Sequence, residues 1–156
     1  MARTGSGTIY GTYADRGITA TGSSHGQLTI DGDHRKLSGR QEIELGSLFD
    51  GGGEKSLTAF DWIDVTGNVE LPGLLDVKLI DGFKLHRGNA LNFLRVGGVL
   101  TGQYEGLGEG DRVDHFEGRD LFMTYRSGNG NEVALFTNVV PEPTTLLIWS
   151  MLAAWG

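Results

Sequence analysis

The chain contains no cysteine among its 156 residues, which excludes a disulfide framework and every cysteine-based zinc or redox site. This absence does not fix the cellular compartment, because many exported bacterial proteins also lack the residue. Proline is scarce as well: it occurs 3 times, and two of the three stand close together near the C-terminus. The function must therefore rest on side chains other than thiols.

Positively charged residues are few and scattered. The 13 Lys and Arg residues stand against 20 Asp and Glu residues, which gives a net charge of −7. Phosphate binding needs a basic stripe, so this charge pattern argues against a nucleic-acid partner. The sequence also lacks a His-x-x-x-His metal pair, a Gly-x-Ser-x-Gly nucleophile elbow and a glycine-rich phosphate loop before a helix. We therefore predict no catalytic residue, no metal and no cofactor.

Glycine, in contrast, is abundant. It occurs 26 times, more than twice its ordinary share of about 7%. Apolar residues make up 38% of the chain and fall in short runs separated by Gly, Asp and Asn, which is typical of β-strands. The length allows one domain with a modest core.

Alternation of apolar residues predicts a series of short strands. Residues 27–30 and 41–45 alternate, so one side of each strand is expected to be buried. The clearest pattern covers residues 61–82, where three strands are joined by turns at Thr66-Gly67-Asn68 and Pro72-Gly73. Strands at this spacing indicate a sandwich, a barrel or a solenoid. Further strands are predicted at 90–96, 99–104, 121–126 and 132–137, with a loop over 106–118.

Candidate acid–base groups are weighed against ordinary surface roles. Glu42 and Glu44 lie on one face of a predicted strand, as does Asp61, and paired carboxylates are what glycosidases use. The same spacing is expected of any half-exposed strand with Ile43 and Leu45 on its buried face, and we favour that reading. The four histidines are scattered in predicted loops and are expected to be solvated: His25, His34, His86 and His115.

Two other kinds of site are considered. The acidic turns at 31–33 and 128–132 offer oxygen ligands for calcium, but the single copy at 128–132 supplies too few to complete a coordination shell. Trp62, Phe83 and Tyr104 could stack on sugars, although aromatic residues on half-buried strands more often belong to the core.

The most informative motif lies at the C-terminus. The segment at 140–144, which consists of Val140, Pro141, Glu142, Pro143 and Thr144, precedes an apolar stretch. This stretch has no polar face, so an ordinary amphipathic helix is not expected there. At about 1.5 Å per residue, residues 146–156 would span roughly half of a ~30 Å bilayer core. The alternative is a terminal helix buried in the protein's own core. The apolar residues of this tail are Leu146, Leu147, Ile148, Trp149, Met151, Leu152, Ala153, Ala154 and Trp155.

This tail resembles the PEP-CTERM sorting tail of exported bacterial proteins, in which Val-Pro-Glu-Pro and Ser or Thr are followed by a hydrophobic segment and a basic cluster. Residues 140–144 match the first part and 146–155 the second, whereas no basic cluster follows. The resemblance implies that the chain is cargo of an exosortase, a membrane enzyme that processes proteins near this triplet. Residues 1–7 contain no apolar signal-peptide region, so we expect a C-terminal fragment of a longer exported protein or a misplaced start codon.

The body of the chain carries a second resemblance. The Asp-Trp-Ile-Asp-Val-Thr-Gly strand at 61–67, the Leu-x-Val-x-Leu strand at 75–79, Asp-Gly-Phe at 81–83 and a closing strand after 128–130 are similar to the C-terminal segment of autotransporter-like β-strand-repeat surface proteins. That resemblance covers residues 28–138 and implies the end of a β-helix, although no strict sequence period is visible.

These observations predict an all-β fold: the last coils and cap of a β-helix or solenoid, or alternatively an antiparallel β-sandwich, followed by a short hydrophobic C-terminal helix. We divide the chain into a Gly/Ser/Thr-rich end or repeat remnant at 1–26, an all-β domain at 27–138 and a sorting tail at 139–156. The expected function is that of a non-enzymatic exported surface or matrix protein, transiently anchored to the membrane by its tail. Its expected partners are an exosortase, the membrane and an exopolysaccharide. The alternatives are the non-catalytic end of a polysaccharide-active β-helix protein and a carbohydrate-binding module.

Overall fold

The computed structural model describes residues 2–4, 7–20, 26–48, 58–71, 73–128 and 130–137. These residues form strands and no helix, which confirms the all-β prediction. The predicted C-terminal helix lies outside them, and the described part holds no helix suited to crossing a bilayer. The strands are β1 (Ala2–Thr4), β2 (Gly7–Tyr10), β3 (Tyr13–Asp15), β4 (Ile18–Ala20), β5 (Gln27–Asp31), β6 (His34–Lys36), β7 (Arg40–Leu45), β8 (Trp62–Val65), β9 (Val69–Glu70), β10 (Leu74–Leu79), β11 (Ala90–Val96), β12 (Leu100–Thr101), β13 (Arg112–Phe116), β14 (Arg119–Ser127) and β15 (Glu132–Thr137).

Each strand from β4 to β12 pairs in parallel with the strand three places earlier in the chain. Sheet A has the order β1-β4-β7-β10, sheet C has β3-β6-β9-β12, and β2-β5-β8-β11 form the parallel part of sheet B. Each set of three consecutive strands is one coil, so β1–β3 make coil 1 and β10–β12 make coil 4. The parallel ladders are compatible with a β-helix or solenoid and contradict the alternative of an antiparallel sandwich over these strands. Strands β1–β4, within the predicted remnant at 1–26, pair in all three sheets.

Antiparallel strands follow coil 4. Strands β13, β14 and β15 form a meander, and β15 also pairs antiparallel with β11, so they extend sheet B to seven strands. The exposed edge of β11 is thereby covered, which removes a site for unwanted strand pairing. The prediction of a loop over 106–118 was wrong in part, because β13 lies within it.

The corner between sheets B and C repeats in every coil. A Cβ atom on Gly67 would lie 2.6 Å from the carbonyl oxygen of Gly32, so a side chain there has no room. The N–H of Asn68 donates to Asp33 Oδ1 at 2.9 Å, and the N–H of Val99 donates to Asn68 Oδ1 at 2.9 Å. The predicted turn at 66–68 is therefore a corner that passes the chain between sheets. The glycines at this corner are Gly11, Gly32, Gly67 and Gly98.

The coils differ in length at a different corner. Asp15 in coil 1 contacts Lys36 in coil 2, and the two are separated by 21 residues in sequence. Arg35 in coil 2 contacts Glu70 in coil 3, and these two are separated by 35 residues. The extra residues lie between sheets A and B, in the connection from β7 to β8. This unequal spacing explains why no strict period is visible in the sequence.

The space between the sheets holds the core. Apolar side chains of coils 2 to 4 and of the meander are buried there, including Ile30, Ile43, Ile63, Phe93 and Leu135. Ile43 and Leu45 point inward, so the predicted alternation of β7 is confirmed. Buried polar side chains form a cluster in coils 1 and 2, made of Asp15, Thr19, His34 and Lys36.

Candidate functional site

A bulge in β11 reorients one side chain towards the outer face of sheet B. The pairing of β11 with β15 shifts register between Asn92 and Leu94, and both Phe93 and Leu94 are buried. With strict alternation, Leu94 would follow Asn92 to the outside and Arg95 would point inward. The bulge instead places Asn92 and Arg95 on the same outer face.

A second bulge lies on the neighbouring part of the sheet. The pairing of β14 with β15 shifts register between Thr124 and Ser127, which brings Ser127 opposite Glu132. Ser127 Oγ donates to Asn92 Oδ1 at 2.7 Å, and Asn92 Nδ2 donates to Glu132 Oε2 at 2.6 Å. The two bulges therefore produce one connected row of polar side chains across three strands.

This row borders a trough of about 460 Å³ on the outer face of sheet B. Its lining includes two small residues, Ala90 and Ala134, on the outer-facing positions of β11 and β15. Phe136 forms one apolar wall and stacks on Phe122 with ring centroids 5.8 Å apart. Leu48 and Phe60 contribute further apolar surface. The trough thus combines an aromatic wall with a polar border.

Arg95 supplies the positive charge at this site. Its guanidinium carbon lies 4.6 Å from the ring centroid of Trp62, a cation–π contact, and its Nε lies 3.4 Å from Glu132 Oε1. The Arg95 side chain nevertheless remains 46% exposed. The stacking contact restricts the guanidinium, while Glu132 offsets much of its charge.

A separate polar cluster is buried between coils 1 and 2. Lys36 Nζ lies 2.5 Å from Asp15 Oδ2 and donates to the carbonyl oxygen of Gly17 at 2.6 Å. Thr19 Oγ1 and the N–H of Gly17 also donate to the Asp15 carboxylate. Burial alone would raise the pKa of Asp15, but the hydrogen bonds from Lys36, Thr19 and Gly17 hold that pKa below its usual value. This satisfied ion pair connects adjacent parallel strands.

His34 lies next to this cluster and is fully buried. Its ring stacks on Tyr13 with centroids 5.5 Å apart, and neither ring nitrogen has a hydrogen-bond partner. Burial, assisted by the charge of Lys36 and opposed by Asp15, lowers the pKa of His34 to about 4. The prediction that His34 is solvated was therefore wrong, because its strand alternates inward at this position. His86 and His115 are exposed as predicted, and His25 lies outside the described residues.

The structure assigns structural roles to the acidic candidates. Glu42 points outward and pairs with Arg40 at 3.5 Å and Lys78 at 3.4 Å, as expected of a half-exposed strand. Asp61 is buried instead, and its carboxylate accepts from the N–H groups of Gly26 and Glu44, each at 2.8 Å. Asp61 thus ties coil 2 to coil 3.

The two acidic turns considered for calcium serve the corners and the outer network. Asp31 Oδ1 accepts from Thr66 Oγ1 at 3.0 Å and Asp33 joins the corner ladder, whereas Glu132 pairs with Arg95. Across the described residues, no group of three or more acidic or histidine side chains is arranged to hold a metal ion.

Two of the three aromatic candidates are buried, and the third packs against the core. Trp62 is 4% exposed and Tyr104 is 1% exposed, so neither presents a face for a sugar, while Phe83 is half-buried. The hydroxyl of Tyr104 donates to Gln41 Oε1 at 2.8 Å, and burial raises the Tyr104 pKa well above its ordinary value.

The predicted sorting motif at 140–144 and the apolar tail at 146–155 lie outside the described residues, which end at Thr137. The outer row of Asn92, Arg95, Ser127 and Glu132 was not predicted from the sequence, because strict alternation along β11 would place Arg95 in the interior. The adjacent apolar pair Phe93-Leu94 was the available signal of a bulge. The chain matches no protein-family model, no curated protein and no solved structure in the comparisons made.

Proposed function

We propose that this protein is a non-enzymatic, exported surface or matrix protein whose body is the last coils and cap of a β-helix and whose tail directs it to the membrane. The observation that carries the proposal is the order of parts. Parallel coils are followed by an antiparallel meander, and the Val-Pro-Glu-Pro-Thr segment begins only three residues after β15 ends at Thr137. Such an order suits a rigid body displayed ahead of a sorting tail.

The chemistry of the described residues supports a structural body. Its buried charged groups are used in the fold, since Lys36 pairs with Asp15 and Asp61 accepts two backbone N–H groups. Stacked coils also give a stiff platform, because each coil pairs with its neighbours along all three sheets. A stiff body of this kind is suited to presenting surface loops away from a membrane.

The tail is expected to act through an exosortase-type membrane enzyme, as its resemblance implies. In this proposal, the rigid Pro141-Glu142-Pro143 segment is recognised, and the apolar residues 146–155 enter the bilayer. The protein is then held transiently at the membrane before it reaches the surface or matrix.

The test is fractionation of the protein in its native host, expressed from its complete gene. Deletion of residues 141–156 should move it from the surface fraction to the periplasm or the medium. Glu142→Ala should have the same effect, while Thr144→Ser, which keeps the motif, should leave the distribution unchanged. If the deletion variant fractionates like the parent protein, the tail has no sorting role and the proposal fails.

A further inference from the structure

We propose that the trough on the outer face of sheet B is a binding site for a neutral pyranose unit of an oligosaccharide or polysaccharide. This inference goes beyond the proposed function and does not depend on it, because it concerns binding in solution and not sorting. It rests on the two bulges, the shape of the trough and the chemistry of its border.

The bulges are the first support. A regular pleated sheet would place Arg95 in the interior, whereas the register shift at Phe93 brings it to the outer face beside Asn92. The shift in β14 likewise brings Ser127 into hydrogen-bonding distance of Asn92. Two separate irregularities therefore gather polar groups at one place on the outer face.

The shape of the trough is the second support. A volume of about 460 Å³ lies within the range of about 300–1,000 Å³ that is typical of small-molecule sites. Ala90 lies opposite Phe136 in the strand pairing and leaves space beside its partly exposed ring, which stacks on Phe122. A pyranose ring has an apolar C–H face that can lie against such an aromatic ring, with its hydroxyls directed to the border.

The polar border fits hydroxyl groups. The Asn92 amide is fixed by Ser127 and Glu132, and the Arg95 guanidinium is fixed by Trp62. Planar groups held in this way offer donors and acceptors without loss of side-chain freedom on binding. Thr124 also lines the trough and is held by Glu109, with 2.6 Å between Thr124 Oγ1 and Glu109 Oε2.

Charge favours a neutral sugar over an acidic one. Two carboxylates contact residues that line the trough, Glu132 beside Arg95 and Glu109 beside Thr124, and the whole chain carries a net charge of −7. A uronate polymer would meet repulsion from these carboxylates, whereas neutral hydroxyls can accept hydrogen bonds from Arg95 without that repulsion.

The experiment is a titration of the full chain with cellohexaose, xylohexaose and mannohexaose, monitored through the amide chemical shifts in NMR spectra. Hexagalacturonate is the acidic probe. At least one neutral hexaose should bind and shift the amides of Asn92 and Ser127. Arg95→Ala and Asn92→Ala should each weaken that binding roughly tenfold, because each removes a preorganised hydrogen-bonding group. Ala90→Trp should abolish it by filling the trough while leaving the polar row intact.

Arg35→Ala is the matched control, because Arg35 is similarly exposed on sheet C and pairs with Glu70 at 2.8 Å. It should leave binding unchanged, and far-UV circular dichroism should show that every variant is folded. The proposal is overturned if none of the neutral hexaoses binds at millimolar concentration, if only hexagalacturonate binds, or if binding survives both Ala90→Trp and Arg95→Ala. Each of these outcomes leaves the sorting proposal standing, since the tail is unchanged.

Discussion

Acidification should destabilise this protein through His34. His34 is buried beside Lys36, stacks on Tyr13 and has no hydrogen-bond partner for either ring nitrogen. Its pKa is about 4 in the folded protein, against 6.5 for an unperturbed histidine. Protonation therefore favours the unfolded chain. The stabilising contribution of the neutral ring is complete above about pH 6.5 and is lost progressively as the pH falls through about 4.

The expected magnitude follows from the pKa difference. One pKa unit corresponds to about 1.4 kcal/mol, so protonation of this one ring removes about 3 kcal/mol of unfolding free energy at full effect. At pH 5 the loss is about 2 kcal/mol, which is a large share of the ~5–15 kcal/mol by which domains are usually stable. The depressed pKa of Asp15 adds its own loss only at still lower pH, because that carboxylate stays ionised below its ordinary value.

Urea unfolding followed by circular dichroism at about pH 7.5, 6 and 5 measures this effect. The parent protein should lose about 2 kcal/mol between the first and last condition, whereas His34→Phe, which keeps a ring against Tyr13, should lose much less. His86→Gln removes an exposed histidine and should behave like the parent protein. Equal acid sensitivity in the parent protein and His34→Phe would refute the reasoning.

Two further predictions concern the fold. Asp15→Asn or Lys36→Met alone should lower the unfolding free energy by about 3–5 kcal/mol, because one charge stays buried without its partner. The double variant Asp15→Leu/Lys36→Met should recover much of this loss. A double variant as unstable as the sum of the single variants would contradict this expectation. Gly67→Ala should cost more than about 2 kcal/mol by its contact with the Gly32 carbonyl. Gly118→Ala, at a φ of +82° in open space, should cost only about 1 kcal/mol, and equal losses in urea unfolding would argue against the close approach.

Much of the strand pattern was predictable from the sequence. Strand β15 occupies the predicted residues 132–137, and β11 occupies 90–96, because each is a short apolar run that lies next to glycine-marked turns. The parallel pairing was harder to predict, since corner residues such as Gly67 and Asn68 look like hairpin turn residues. Only their contacts with Gly32 and Asp33, one coil away, distinguish a corner from a hairpin.

The outer site was less predictable, because it depends on departures from alternation. Arg95 follows two apolar residues and would be assigned to either face by pattern alone. His34 was difficult to place for a related reason. Its strand has only three residues, so the sequence offers too few alternating positions to show which way this polar side chain points. Local pattern indicates the strands, whereas register decides which side chains meet.

The unequal coils also indicate where foreign peptides can be grafted. The stretch from Leu45 to Trp62 and the stretch from Leu79 to Ala90 differ in length, yet the strands that flank them keep an unbroken parallel register. Loop extension costs little, since closure entropy rises only slowly with length. An epitope inserted at this corner would be carried along one edge of the molecule, whereas insertion at the glycine corner would force the stacked backbones apart.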